Sequence, residues 1–303
     1  MKNIHKLAIF LLASLFAACK GPVEVPGNTT DPNATFEEVV YYRGEFELKG
    51  YLSKPKGTGP FPAVIYNHGG MGNVIGGAPE ETCRSLARDG FVGFSPIRRP
   101  TVPLEGHLDD VFAGIEFAKQ LSYVDSNHIG IMGFSRGALL TFEAGIRRSD
   151  YKALIIMAVA PGRGNFDELL PEANKISAPV LLLVAENDTV QANSVLGIQR
   201  LYQELESAGK QVEMIIYPPY KSDGHQMFFE IGDYWSDVKR FLIEHLKQNK
   251  ANLMPFGQGF SLLRSEISTK LRAPNNKQIA MTKILNSTLP LSYRKNGQVI
   301  KEQ

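Results

Sequence analysis

Six short apolar runs, at residues 63–66, 91–94, 129–132, 154–159, 180–185 and 212–217, recur along this chain and constrain its fold more than any other feature. Each is too short for a buried helix and rich in Val, Ile, Leu or Phe, the pattern of a strand covered on both faces. Helix-period segments lie between them at 79–88, 108–121, 136–147 and 192–208, and another follows the last run at 234–247. That alternation implies an α/β fold, with a mostly parallel central sheet and helices on both faces. Ahead of it, residues 36–42 and 45–52 alternate in polarity around Arg43-Gly44, which predicts an N-terminal antiparallel hairpin. With 303 residues, 43% of them hydrophobic and 21% charged, the chain can bury a sizeable core, and disorder, collagen and coiled coil are excluded.

The N-terminus follows a different logic. Lys2, His5 and Lys6 precede a 12-residue apolar run that ends at Ala18. A spanning helix needs about 20 residues, so residues 1–18 read as a signal peptide. The run closes Leu15-Phe16-Ala17-Ala18-Cys19 and resembles a bacterial lipobox, in which Cys19 becomes the lipidated first residue of the mature protein. The alternative is an ordinary secretory signal cut near Ala18, giving a secreted or periplasmic protein. Residues 19–35 carry the lipidated cysteine and a polar, Pro- and Gly-rich tether. The expected location is the bacterial cell envelope, anchored to the membrane and facing away from the cytoplasm. The other cysteine, Cys83, then has no disulfide partner.

Net charge is +2, from 33 basic and 31 acidic side chains, which is too balanced to draw the chain onto nucleic acid. Residues 251–303 hold eight of the basic and two of the acidic groups and read as a loosely attached basic extension. The catalytic domain is expected at 36–250.

Chemistry concentrates where the predicted strands end. Gly133-Phe-Ser135-Arg-Gly137 follows a strand and opens a helix. A serine on so sharp a turn needs small neighbours, and the turn would present Ser135 at the carboxyl edge of the sheet. The Arg136 amide, at a helix N-terminus, would face developing negative charge. A serine hydroxyl needs a base, and the base needs an acid to fix its tautomer. Asp188 supplies the acid just after an apolar strand, and His225 supplies the base in a polar loop after the next strand; Glu186 and Asp223 are the nearby competitors. Asn67-His68-Gly69-Gly70 follows the first parallel strand, with His68 as a structural residue and the amide of Gly70, or of Met71, as the second oxyanion donor. Arg98 and Arg99 follow the strand at 91–94 and could hold an anionic group of the substrate; the alternative is that they pair with local acids such as Glu105 or Asp109. No His-x-x-x-His or Cys-rich spacing occurs, so neither metal nor other cofactor is expected.

From about residue 36 to 247 the chain resembles the α/β-hydrolase fold, and within it the dienelactone-hydrolase-like and prolyl-oligopeptidase-like serine hydrolases. The resemblance rests on Asn67-His68-Gly69-Gly70, Asp109-Asp110-Val111, Tyr123-Val124-Asp125 with Gly130, and the order Ser135, Asp188, His225. It implies two-step acyl transfer through an acyl-enzyme. Dienelactone hydrolases carry a cysteine nucleophile where this chain has Ser135, so their substrate does not transfer. The 16 residues between Cys19 and Phe36 cannot form the propeller that gates the oligopeptidases. The segment at 161–177 is short for a lipase lid, which favours a water-soluble ester over a lipid droplet. The expected function is a membrane-tethered serine hydrolase of carboxylic esters, with a small-peptide hydrolase and a non-catalytic binding lipoprotein as alternatives.

If Cys19 is the anchor, Cys19→Ser moves the protein from the membrane fraction to the soluble fraction of fractionated cells. Retention of the variant in membranes removes the anchor.

Overall fold

A computed structural model describes residues 34–71 and 74–247; the predicted signal segment, Cys19, the tether up to residue 33 and the basic extension lie outside them. β1 (Ala34–Arg43) and β2 (Glu47–Pro55) form the expected antiparallel hairpin. The parallel strands are β3 (Phe61–Asn67), β6 (Val92–Pro96), β7 (Val124–Phe134), β8 (Ala153–Met157), β9 (Val180–Ala185) and β10 (Val212–Tyr217). The helices between and after them are α1 (Pro79–Arg88), α2 (His107–Gln120), α3 (Arg136–Arg147), α4 (Asn165–Leu169), α5 (Ser194–Ser207) and α6 (Trp235–Leu246). The sheet runs β1-β2-β6-β3-β7-β8-β9-β10, antiparallel across β1-β2-β6 and parallel from β6 to β10.

Period-two burial on both faces explains why the parallel strands read as continuous apolar runs. Ile65, Ile131, Ile156 and Leu182 point to one face, under Ile115 of α2, Leu140 of α3 and Leu201 of α5. Val64, Met132, Ile155 and Leu181 point to the other, under Leu86 of α1 and Val238 and Phe241 of α6. Each such fully buried Leu, Ile or Phe contributes about 1.5–3 kcal/mol.

Two local structures escape the sequence patterns. β4 (Gly69–Met71) and β5 (Val74–Gly76) pair antiparallel in the segment after β3. Three residues are too few to display a period. The segment at 161–177 folds into α4 and a 3₁₀ stretch, Leu170–Lys175, with Phe166, Leu169, Leu170 and Ala173 buried in the core.

Strand order decides where a site can form. The chain goes from β3 outward to β6, then returns to the other side of β3 as β7. In open α/β sheets such a reversal leaves a crevice beyond the carboxyl ends of the strands. The loops after β3 and β7 meet there.

α1 crosses β6 so closely that a Cβ on Gly93 would lie 2.7 Å from the carbonyl oxygen and 2.8 Å from the Cα of Cys83. Both are backbone atoms and cannot swing aside. Gly93→Ala is expected to destabilise the domain by about 1–3 kcal/mol in urea unfolding; an unchanged midpoint would mean that α1 shifts freely on the sheet.

Candidate active site

Ser135 sits between β7 and α3 with φ 56° and ψ −118°, a conformation that L-residues avoid. Neighbouring backbone holds it there. Its N–H donates to Met157 O (3.0 Å), and its carbonyl accepts from Ala138 N (3.0 Å), Leu139 N (3.2 Å) and Ala160 N (3.2 Å). The flanking glycines are obligatory. A Cβ on Gly133 would sit 2.2 Å from Gly137 O, and one on Gly137 would sit 1.9 Å from Asn67 O. Among the described residues, the other non-glycine positive-φ positions are Leu104, Ala158, Arg163 and Lys221, in the loops after β6, β8 and β10. Strained backbone is therefore confined to the carboxyl edge of the sheet, as at many ligand sites.

Asp188, fully buried, and His225, nearly so, face each other from the loops after β9 and β10. His225 Nδ1 lies 3.0 and 3.1 Å from the two carboxylate oxygens of Asp188. Asn187 joins these loops: its Nδ2 donates to the carbonyls of Tyr220 and Lys221, and its Oδ1 accepts from Tyr220 N (2.9 Å). Asp223 is a helix cap, with Oδ1 accepting from His225 N (3.0 Å), and Glu186 is exposed. The imidazole of His225 packs 4.6 Å from the ring of Phe134, the residue before Ser135, and Phe134 also contacts Phe228 and Phe229.

The loop after β3 crosses the serine turn from the other side. A Cβ on Gly69 would lie 3.2 Å from the Cβ of Ser135. Gly70 has φ 143°, open to glycine and strained for other residues. The Arg136 guanidinium donates to Gly70 O. Arg136 N–H lies in the first turn of α3, where amides have no intrahelical acceptor. His68 is buried in this loop: its Nδ1 donates to Gly69 O (2.6 Å), and burial, reinforced by the Arg98 charge, holds its pKa well below the usual histidine range.

The two arginines after β6 do not form an exposed pair. Arg99 is bound to Asp110, through Nε and Nη2 to Oδ1 (2.9 and 2.6 Å) and through its backbone N–H to Oδ2 (2.8 Å). The acid is neither Glu105 nor Asp109 but the buried residue one position on. Arg98 is 7% exposed and reaches the carbonyls of His68 (2.7 Å) and Gly69 (3.4 Å) through Nη2. Burial lowers its pKa to about 9. The spacing that marked these residues as ligand-facing could not show that a helix acid and a loop backbone would claim them.

His107 is buried, with Nδ1 accepting from Leu104 N, and His128 pairs with Asp125 (2.7 Å). Among the described residues, Glu213, Glu244 and His245 have side-chain ligand atoms within 4.8 Å of one another. They lie at the amino edge of the sheet, away from Ser135, and Arg240 pairs with both carboxylates (2.6 and 3.6 Å), which offsets the charge that would attract a cation.

Residues 101–226 match the dienelactone hydrolase family. The chain is 25% identical over 218 residues to the uncharacterized peptidase YtmA of Bacillus subtilis, covering 60% of this chain and 84% of that protein. It is 27% identical over 181 residues to the esterase EstD of Thermotoga maritima, covering 54% of this chain and 42% of the other. Among solved structures, the acylaminoacyl peptidase of Pyrococcus horikoshii superposes with a TM-score of 0.60 at 19% identity, over 75% of this chain and 43% of that one. The fold is the α/β-hydrolase fold.

The buried imidazoles make stability depend on acid. An unfolded histidine takes up a proton near pH 6.5, whereas folded His107 does so only near about 4, chiefly because of burial and then because of Arg98. The unfolded state therefore binds more protons below pH 6.5, and this stabilisation is present above 6.5 and lost as pH falls toward about 4. The Tm is expected to fall over that window, and His107→Gln to flatten the slope. An unchanged slope in the variant would assign the acid loss elsewhere.

Proposed function

We propose that this α/β-hydrolase, whose residues 101–226 carry the dienelactone hydrolase family match, is a serine hydrolase of carboxylic esters. The observation that carries the reading is the buried pair of His225 Nδ1 and Asp188, set beside the strained turn that bears Ser135. Asp188 fixes the tautomer with the proton on Nδ1, leaving Nε2 as the base. His225 takes the Ser135 proton as Oγ attacks the carbonyl, then returns it to the leaving alcohol. An acyl-enzyme remains, and water attacks it by the same route. The amides of Arg136 and Gly70 stabilise the oxyanion in both steps.

Two features favour a small, soluble ester. The segment at 161–177 is anchored by buried Phe166 and Leu169 rather than lying free as an apolar flap. Phe229, half exposed and edge-on to Phe134 at 5.4 Å, offers an apolar contact for a short acyl or alcohol group. A short-peptide hydrolase is the second reading, favoured by the likeness to YtmA. Lipid anchorage through Cys19, in a bacterial envelope, belongs to the same proposal and rests on the sequence of residues 1–19.

Ser135→Ala is expected to abolish hydrolysis of p-nitrophenyl acetate and labelling by a fluorophosphonate while leaving the unfolding midpoint nearly unchanged. Asp188→Asn should lower kcat by about 10⁴-fold, because the imidazole then adopts the wrong tautomer. Wild-type turnover by Ser135→Ala would overturn the assignment.

A further inference from the structure

The buried guanidinium of Arg98 stands out among the charges of this domain. No carboxylate among the described residues pairs with it, since the neighbouring Asp110 is bound to Arg99. Its Nε and Nη1 are buried without a hydrogen-bond partner among the described residues. A buried, unpaired cation costs several kcal/mol, and an apolar side chain of similar volume would serve packing better. Its polar work is done by Nη2, on His68 O and, more distantly, on Gly69 O.

The next carbonyl is held as well. His68 Nδ1 donates to Gly69 O at 2.6 Å, and the side chain of Arg136 donates to Gly70 O. Three successive carbonyls of one short loop are thus each engaged by a side-chain donor. The donors come from the segment after β6, from the first residue of α3 and from His68 of the loop itself. In a trans peptide the C=O and N–H point in opposite directions, so fixing a carbonyl also fixes the direction of the following amide. Holding Gly69 O sets the Gly70 N–H, and holding Gly70 O sets the Met71 N–H. Gly70, at φ 143°, has the widest backbone freedom of the loop and the most need of such restraint.

We propose that Arg98 and the side chain of Arg136 are positioning residues that clamp the carbonyls of residues 68–70 and thereby fix the backbone amides of residues 69–71, the loop from which the substrate's oxyanion takes its second donor. This rests on the reading of Ser135 as nucleophile and extends it to residues that touch neither substrate nor base. A hydrogen bond to a carbonyl also polarises the peptide that carries it, so the donor is already oriented and strengthened when negative charge develops. Substrate binding in the ground state needs neither effect.

The test compares wild type, Arg98→Met, Arg98→Lys and Arg136→Met, the last of which keeps its backbone amide. Steady-state hydrolysis of p-nitrophenyl acetate is measured together with inhibition by a trifluoromethyl ketone, which forms a tetrahedral adduct on a nucleophilic serine. Arg98→Met and Arg136→Met are each expected to lose about 10²-fold in kcat, with KM within about threefold and inhibitor affinity reduced in proportion to kcat. Arg98→Lys, which can still reach one carbonyl, should recover about tenfold of the loss. A folded Arg98→Met or Arg98→Lys with wild-type kcat and wild-type inhibitor affinity overturns the clamp. So does a loss that appears in KM alone, or one matched by the fraction of unfolded protein. If Arg98→Met fails to fold, Arg98→Lys and Arg136→Met decide the question by the same kcat and KM readouts. A wild-type protein that neither turns over the ester nor labels at Ser135 would instead refute the reading of the site itself.

Discussion

The rest of the site depends on one contact, the seating of the end of β3 on the serine turn. Asn67 O lies 1.9 Å from where a Cβ on Gly137 would be, and His68 O lies 2.5 Å from the same point. Nothing larger than a hydrogen atom fits between them, and Asn67 Nδ2 adds a bond to Thr141 Oγ1 on α3 (2.8 Å). The first turn of α3 is thereby fixed against the loop of residues 68–70. A nucleophile from one βα unit and a backbone donor from another share a frame because their backbones touch. Two elements joined only through side chains would leave more room for displacement, and a misplacement of about 1 Å is costly in catalysis.

The opposite side of the site is assembled less tightly and with more polar material. Asp188 and His225 reach their places on separate loops, and Asn187 bonds across from one to the other. Gly224 allows the approach, since a Cβ there would lie 2.7 Å from Asp188 N. Buried polar pairs of this kind are favourable only when both partners are satisfied, which the two short Nδ1 contacts to Asp188 achieve. Phe134, itself packed against Phe228 and Phe229, lies on the imidazole and restricts its rotation.

Charge distribution distinguishes this domain from a plain α/β scaffold. Positive groups gather beneath the loop after β3, and the histidines near them, His68 and His107, are held neutral. A neutral imidazole beside buried guanidinium groups can hydrogen-bond to carbonyls without adding repulsion. The arrangement gives up stability to hold one loop in place, a trade that active sites commonly show.

Much of this was legible in the residues. Apolar runs and helix periods locate every parallel strand and every long helix, because burial on two faces and on one face leave different periodicities in a sequence. The spacing Gly133-x-Ser135-x-Gly137, with Asp188 and His225 each following a strand, marks the three side chains that the fold brings to one edge. The fates of Arg98, Arg99 and Asp110 were not legible, nor was the β4-β5 pair. Three-residue strands carry no period. The partner of an arginine is chosen by whichever acceptor the packed chain brings within about 3 Å, and Asp109 and Asp110 differ only in which side of α2 they occupy once it is docked. Local pattern decided which elements form and where the chemistry resides; the close approach of backbones across the sheet decided which donors meet which acceptors, since that depends on distances between residues far apart in the chain.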